Sequence, residues 1–141
     1  ADRHVWRVCR NILVTETDKA GAQLLSDPDG VIAHYFRYIR GVRQIEEFES
    51  LQQESLPFLN EFLEVPAALE DCAIVGSADT VLARLIELVD ELGPFGTLVM
   101  VGHDWDESGL SQRSMHRLAK DILPQLKQHV DSLGSERWIE S

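Results

Sequence analysis

Three short runs of uninterrupted apolar residues constrain this chain more than any other feature. They are Ile12-Leu13-Val14, Ala73-Ile74-Val75 and Leu98-Val99-Met100-Val101. A strand with one wet face alternates apolar and polar residues, so a continuous run implies cover on both faces, as in a parallel sheet. Each run is followed by a helix signal. Thr17 or Asp18 offers a side-chain oxygen to cap a helix through Lys19 to Leu25, and Ser77 caps one that carries Val81, Leu82, Leu85, Ile86, Leu88, Val89 and Leu92 on a broad face. A last helix places Met115, Leu118, Ala119, Ile122, Leu123 and Leu126 inward. Strands alternating with helices in this way are parallel β/α units.

The connections are legible in part. The first strand is read over Val5 to Thr15, the second over Asp71 to Gly76 and the third over Gly96 to Gly102. Asp27-Pro28-Asp29-Gly30 is a turn in which Pro fixes φ and Gly accepts a positive one. Val31 to Arg40 has helical spacing, with Gly41 where a left-handed cap belongs, and His34, Tyr35 and Tyr38 are expected to pack. Gly93-Pro94 ends the helix after Ser77. Val42 to Glu64 is glutamate-rich and broken by Pro57, and reads as two short helices inserted outside the β/α alternation, its Glu46, Glu47, Glu49 and Glu54 on a solvated face. From about Val130 the chain reads as a fraying tail.

Charge and cysteine usage exclude several functions. The chain carries 24 acidic and 13 basic side chains, a net charge of −11 over 141 residues. Nucleic-acid binding needs a clustered positive field, so no nucleic-acid partner is expected. No apolar run approaches the roughly 18–20 residues that cross a bilayer, so no membrane span is expected. Two cysteines, Cys9 and Cys72, are too few for a secreted disulfide scaffold and point to a cytoplasmic protein with buried, inert thiols. The five histidines show no metal-ligand spacing, and no metal is expected. Ala1 to His4 has neither an initiator Met nor a signal-peptide layout, and reads as a fragment boundary. One compact unit accounts for the length, and three parallel strands cannot close a barrel of about 250 residues, so the chain holds either a small open sheet or the last part of a barrel whose earlier strands are missing.

Two segments carry the reading to a family. Ala73-Ile74-Val75-Gly76-Ser77-Ala78-Asp79-Thr80-Val81 resembles the Val-Gly-Ser/Thr-Pro-Glu-Glu-Val segment of bacterial luciferase-like flavin-dependent monooxygenases, with Ala78 where that family has Pro. Phe95 to Trp105, with Arg113-Ser114-Met115 and Ile122-Leu123-Pro124, resembles the family's last strand and helix, and the limonene-monooxygenase-like branch in particular. Arg7-Val8 to Thr15-Glu16-Thr17-Asp18 resembles its strand before a variable helical insertion.

The resemblance implies the C-terminal part of a (β/α)₈ TIM barrel, residues 1–141 forming a single partial domain with the insertion at 42–64 and the tail at 130–141. The intact bacterial-type enzyme would take reduced FMN from a flavin reductase partner and use O₂ to oxygenate a small organic substrate, and this piece alone would be inactive. A deazaflavin (F420)-dependent oxidoreductase is the alternative within the superfamily, and a non-catalytic interaction domain the alternative outside it. A free piece would dimerise or pair with a missing N-terminal barrel half. Because barrel chemistry sits at the C-terminal ends of strands, His103, directly after the third strand, is the catalytic and substrate-pocket candidate; the other reading is a histidine bonded to its own loop. Asp104 orients His103 or, with Asp106, caps the last helix. Trp105 walls the substrate pocket or packs on that helix. The free N–H groups at Gly76-Ser77 suit an anion or plain helix capping. No cofactor-binding residue is assigned.

Overall fold

The computed structural model describes residues 2–43, 73–102 and 109–139. Within them lie β1 (Arg7–Val14), α1 (Asp18–Ser26), α2 (Val31–Arg43), β2 (Ala73–Gly76), α3 (Ala78–Leu92), β3 (Thr97–Val101), α4 (Leu110–Arg117) and α5 (Leu123–Asp131), with a π-helical turn at Leu118–Ile122 joining the last two. The three strands are parallel in the order β2-β1-β3. This is the α/β layout expected from the apolar runs.

β1 is the central strand, and it divides its pairing. Arg7 to Asn11 pair with Thr97 to Val101 of β3, whereas Asn11 to Val14 pair with Ala73 to Gly76 of β2. Alternation sends Ile12, Val14 and Ile74 to one face, where they meet Val81, Leu85 and Val89 of α3 and Leu118, Ile122 and Leu126 of the final helix. Leu13, Ala73 and Val75 point the other way, onto Ile32 of α2 with Leu24 and Leu25 of α1 alongside. Both faces are thus covered here, which is why these runs contain no polar residue. Each side chain fully buried in this way stabilises by about 1.5–3 kcal/mol.

Cover stops short of the other half of the sheet. On the α1–α2 side Arg7, Cys9, Thr97 and Val99 are exposed, Val99 by 39%, so β3 is an edge strand with one covered face. The expectation of a fully buried third strand fails for that reason. Cys9, expected to be buried, is an exposed free thiol on the same uncovered patch; Cys72 lies outside the described residues.

Other differences have local causes. Arg3–Val5 forms a 3₁₀ turn capped by Asp2, so β1 begins at Arg7 and Val5 is 73% exposed. α2 continues through Gly41 to Arg43, where a cap was expected. Gly30 is not among the positive-φ glycines; the turn is instead closed by Gly30 N–H donating to the Asp27 carbonyl at 3.1 Å and Asp29 N–H to Asp27 Oδ1 at 3.0 Å. On α2, His34 is exposed and Tyr38 is 63% exposed, whereas Tyr35 meets Phe36 edge to face at 5.3 Å. Gly93 does take φ +83°, and its N–H donates to the Val89 carbonyl at 2.8 Å, ending α3 as expected.

The last helix is one rod interrupted by the π turn. Pro124 has no N–H to donate to the preceding turn, and the Leu123 N–H reaches back to Leu118, five residues away. The wider turn keeps Leu118, Ile122 and Leu126 in line on the core. Ala119 and Leu123, expected inward, face solvent. The tail does not fray. Val130 and Leu133 pack on the core, Trp138 stacks on His4 with ring centroids 4.1 Å apart, and Ile139 bridges Asp2. His129 and Arg137 both bond Asp90 of α3, at 2.7 and 3.4 Å.

Where β3 ends, β1 loses its partner on that side. The Val14 N–H donates instead to Ser114 Oγ of α4, at 2.7 Å and fully buried. A buried amide left without an acceptor costs about 1–3 kcal/mol. Ser114→Ala is therefore expected to destabilise the protein by about that amount, read as a lower urea midpoint with an unchanged m-value; a change within experimental error would show the bond to be dispensable.

Candidate functional site

The C-terminal ends of the strands converge on one rim of the sheet: Thr15 after β1, Ser77 after β2 and Gly102 after β3. His103, Asp104, Trp105 and Asp106 follow β3 directly in the chain but lie outside the described residues, as does most of the Val42 to Glu64 insertion, beyond Arg43.

At Ser77 the capping alternative holds. Ser77 Oγ accepts from Thr80 N–H at 3.4 Å, and the Ser77 N–H donates to Asp18 Oδ1 at 2.8 Å. A carboxylate of the protein already sits where a bound anion would. The contact is possible because α1 runs very close to the end of β2. A Cβ on Gly21 would lie 3.0 Å from Gly76 Cα, and one on Gly76 only 2.9 Å from Asp18 Oδ1, so both positions require glycine. Thr17 caps α1 by accepting from Ala20 N–H at 3.1 Å, and its carbonyl accepts from the Thr15 hydroxyl at 2.8 Å.

Beside this junction a cleft of about 340 Å³ opens between α1 and α4. Thr15 and Glu16 form its base, directly beyond β1. Ala20, Gln23, Leu24 and Asp27 line one wall, and Leu110, Arg113 and Arg117 the other. Arg113 and Arg117 are four residues apart, one turn of helix, and so share a face. Arg117 Nη2 donates to Glu16 Oε1 at 3.1 Å, with Arg117 26% and Glu16 75% exposed. The Arg113-Ser114-Met115 and Thr15-Glu16-Thr17-Asp18 segments were visible in the sequence. What sequence did not reveal is that α4 lies across the cleft from α1, because the contact that ties α4 to the sheet, between Val14 and Ser114, joins residues 100 positions apart. Among the described residues no helix is long and apolar enough to cross a membrane, and no cluster of metal-ligating side chains occurs.

No protein-family model matches the sequence, and no curated protein matches it. Among solved structures the chain is similar to a type II Baeyer–Villiger monooxygenase, the oxygenating constituent of 3,6-diketocamphane monooxygenase from the CAM plasmid of Pseudomonas putida, solved in complex with FMN. The likeness has a TM-score of 0.65 at 22% identity and covers 89% of this chain and 34% of that one. The chain therefore spans about a third of that relative. What the likeness establishes is the fold: three parallel strands with their helices, matching part of a TIM-barrel-like monooxygenase.

FMN fits the described residues only in part. The two guanidinium groups suit an anionic group, but the apolar lining of the cleft is limited to Ala20, Leu24 and Leu110, too little to sandwich a flavin ring.

Three hydrogen bonds, first that from the Ser77 backbone and then those with the Thr80 and Ser77 side chains, hold the Asp18 carboxyl below its ordinary range. A depressed carboxylate contributes stability that is complete above the unfolded value, about 3.9, and disappears as pH falls through the lower folded value. Asp18→Asn keeps an acceptor for the Ser77 amide and removes the charge. Its stability is expected to fall less steeply than that of the wild type on acidification through this window, measured by urea unfolding at a series of pH values. Parallel curves would place the acid sensitivity elsewhere.

Proposed function

We propose that this chain is the C-terminal portion of a luciferase-like (β/α)₈ monooxygenase that uses reduced FMN and O₂ to oxygenate a small organic substrate. The observation that carries the reading is the cleft at the C-terminal end of β1, on the rim where β/α barrels hold their chemistry, in a fold like that of an FMN-bound oxygenating enzyme. The resemblance of Phe95 to Trp105 favours the limonene-monooxygenase-like branch, with His103 as the catalytic and substrate-pocket residue and Trp105 as a pocket wall.

Reduced FMN, when bound, supplies the electrons that activate O₂. The share of these residues is to form one side of the substrate cleft. Thr15 and Glu16 set its base, α1 and α4 its walls, and the Asp18–Ser77 junction fixes α1 against β2. The flavin cradle belongs to the remainder of the barrel, and a flavin reductase provides the reduced cofactor. Pairing with that remainder, or with a second copy, would cover the exposed Val99 and Cys9 patch and the edge of β3.

The test uses the complete protein that contains this chain, supplied with reduced FMN by a reductase under ¹⁸O₂. Incorporation of one ¹⁸O atom into a small organic substrate is expected, with no turnover by the 141-residue chain alone. Absence of labelled product from the complete protein across cyclic ketones, terpenes and apolar monocarboxylates, or full activity of the short chain, would refute the reading.

A further inference from the structure

We propose that the cleft between α1 and α4 selects a small organic molecule with one carboxylate on an apolar body. The inference rests on the reading above for the location of the substrate and adds its chemical class. Four charged side chains line the cleft, two of each sign, and each already has an interaction within the protein. Asp27 Oδ1 accepts from the Asp29 backbone N–H at 3.0 Å, which commits one acid to its own turn. Glu16 is bound to Arg117 through an exposed contact. Exposed pairs of this kind are weak, so an incoming carboxylate displaces Glu16 at little cost and inherits a guanidinium built for two-pronged carboxylate recognition. Arg113 lies one turn away on the same wall. A dianion would meet Glu16 and Asp27 at close quarters, which favours a single charge. Leu24 and Leu110, on opposite walls, leave room between them for a hydrocarbon body of modest size.

The arrangement makes two variants move in opposite directions. Arg117→Gln removes the charge-assisted bonds and is expected to weaken binding about tenfold. Glu16→Gln frees Arg117 from its internal competitor and is expected to tighten binding about two- to fivefold. Cyclohexanecarboxylate and its isosteric amide, cyclohexanecarboxamide, serve as probes, followed by NMR shifts of the Leu24 and Leu110 methyl groups in the protein without flavin. Saturable binding of the acid, with the amide at least tenfold weaker and Glu16→Gln tighter than wild type, supports the proposal. Equal affinity for acid and amide, no saturable binding at millimolar concentration, or an unchanged or weakened Glu16→Gln would overturn it. Arg113→Gln, whose loss of acid binding should leave the fold intact by circular dichroism, separates recognition from structural damage at Arg117. The measurement needs neither flavin nor O₂, so its failure is distinguishable from failure of the oxygenation assay.

Discussion

The structure depends on how β1 satisfies its backbone. A central parallel strand needs partners along both edges, and neither neighbour here is long enough to supply them for its whole length. β3 serves the first half and β2 the second, with Asn11 the one residue registered against both. Past that point the edge facing β3 has no strand, and the buried Ser114 hydroxyl accepts from Val14 in its place. On the other edge the Thr15 N–H continues the ladder by donating to the Gly76 carbonyl at 2.8 Å. The bond to Ser114 draws α4 over the end of the sheet and thereby sets one wall of the cleft. The Gly21–Gly76 approach and the Asp18–Ser77 bond set the other. Both walls are thus anchored to the sheet through backbone contacts rather than through side chains alone.

The parts of this architecture that were legible in sequence are those decided by local pattern. Ile12 to Val14 and Ala73 to Val75 announced strands covered on both faces because alternation puts consecutive apolar residues on opposite sides. Thr17, Ser77 and Gly93 announced helix boundaries because each satisfies or redirects backbone groups within four residues. Long-range facts were not legible. Leu98 to Val101 has the same apolar texture as the other runs, yet nothing in its composition says that it sits at an edge with Val99 and Cys9 uncovered. Ala119 and Leu123 fit an inward helical face until Pro124 forces a π turn and moves them out. The tail's attachment through Trp138 and His4 joins residues more than 130 positions apart.

The same distinction applies at the site. His103 to Asp106 follow the third strand and lie outside the described residues. The cleft is lined by α1, by the residues after β1 and by a helix about 100 positions later, where Arg117 meets Glu16. Arg113 and Arg117 look in sequence like ordinary polar residues of an amphipathic helix. They acquire meaning only because Ser114, between them, is buried and fixes the rotation of α4, leaving the two arginines to flank the cleft.

Strand order bears on how this unit relates to a barrel. In a closed β/α barrel each strand lies between those that precede and follow it in the chain, so β1 would be bordered by β2 and by an earlier strand. Here β3 crosses to the free edge of β1. Two strands cannot share one edge, so in any longer chain that places a strand there, β3 must pair elsewhere, with β2 the available neighbour. In the register seen here β3 engages Arg7 to Asn11 and overlaps β2 only at Asn11, and its outward Val99 and Thr97 are exposed. The core shared by β1, β2, α3 and the final helix uses Ile12, Val14 and Ile74, none of which β3 pairs with. β3 is nonetheless tied to this core, since its Leu98 and Met100 pack against it, whereas the cleft is lined by α1, α4 and the residues directly after β1.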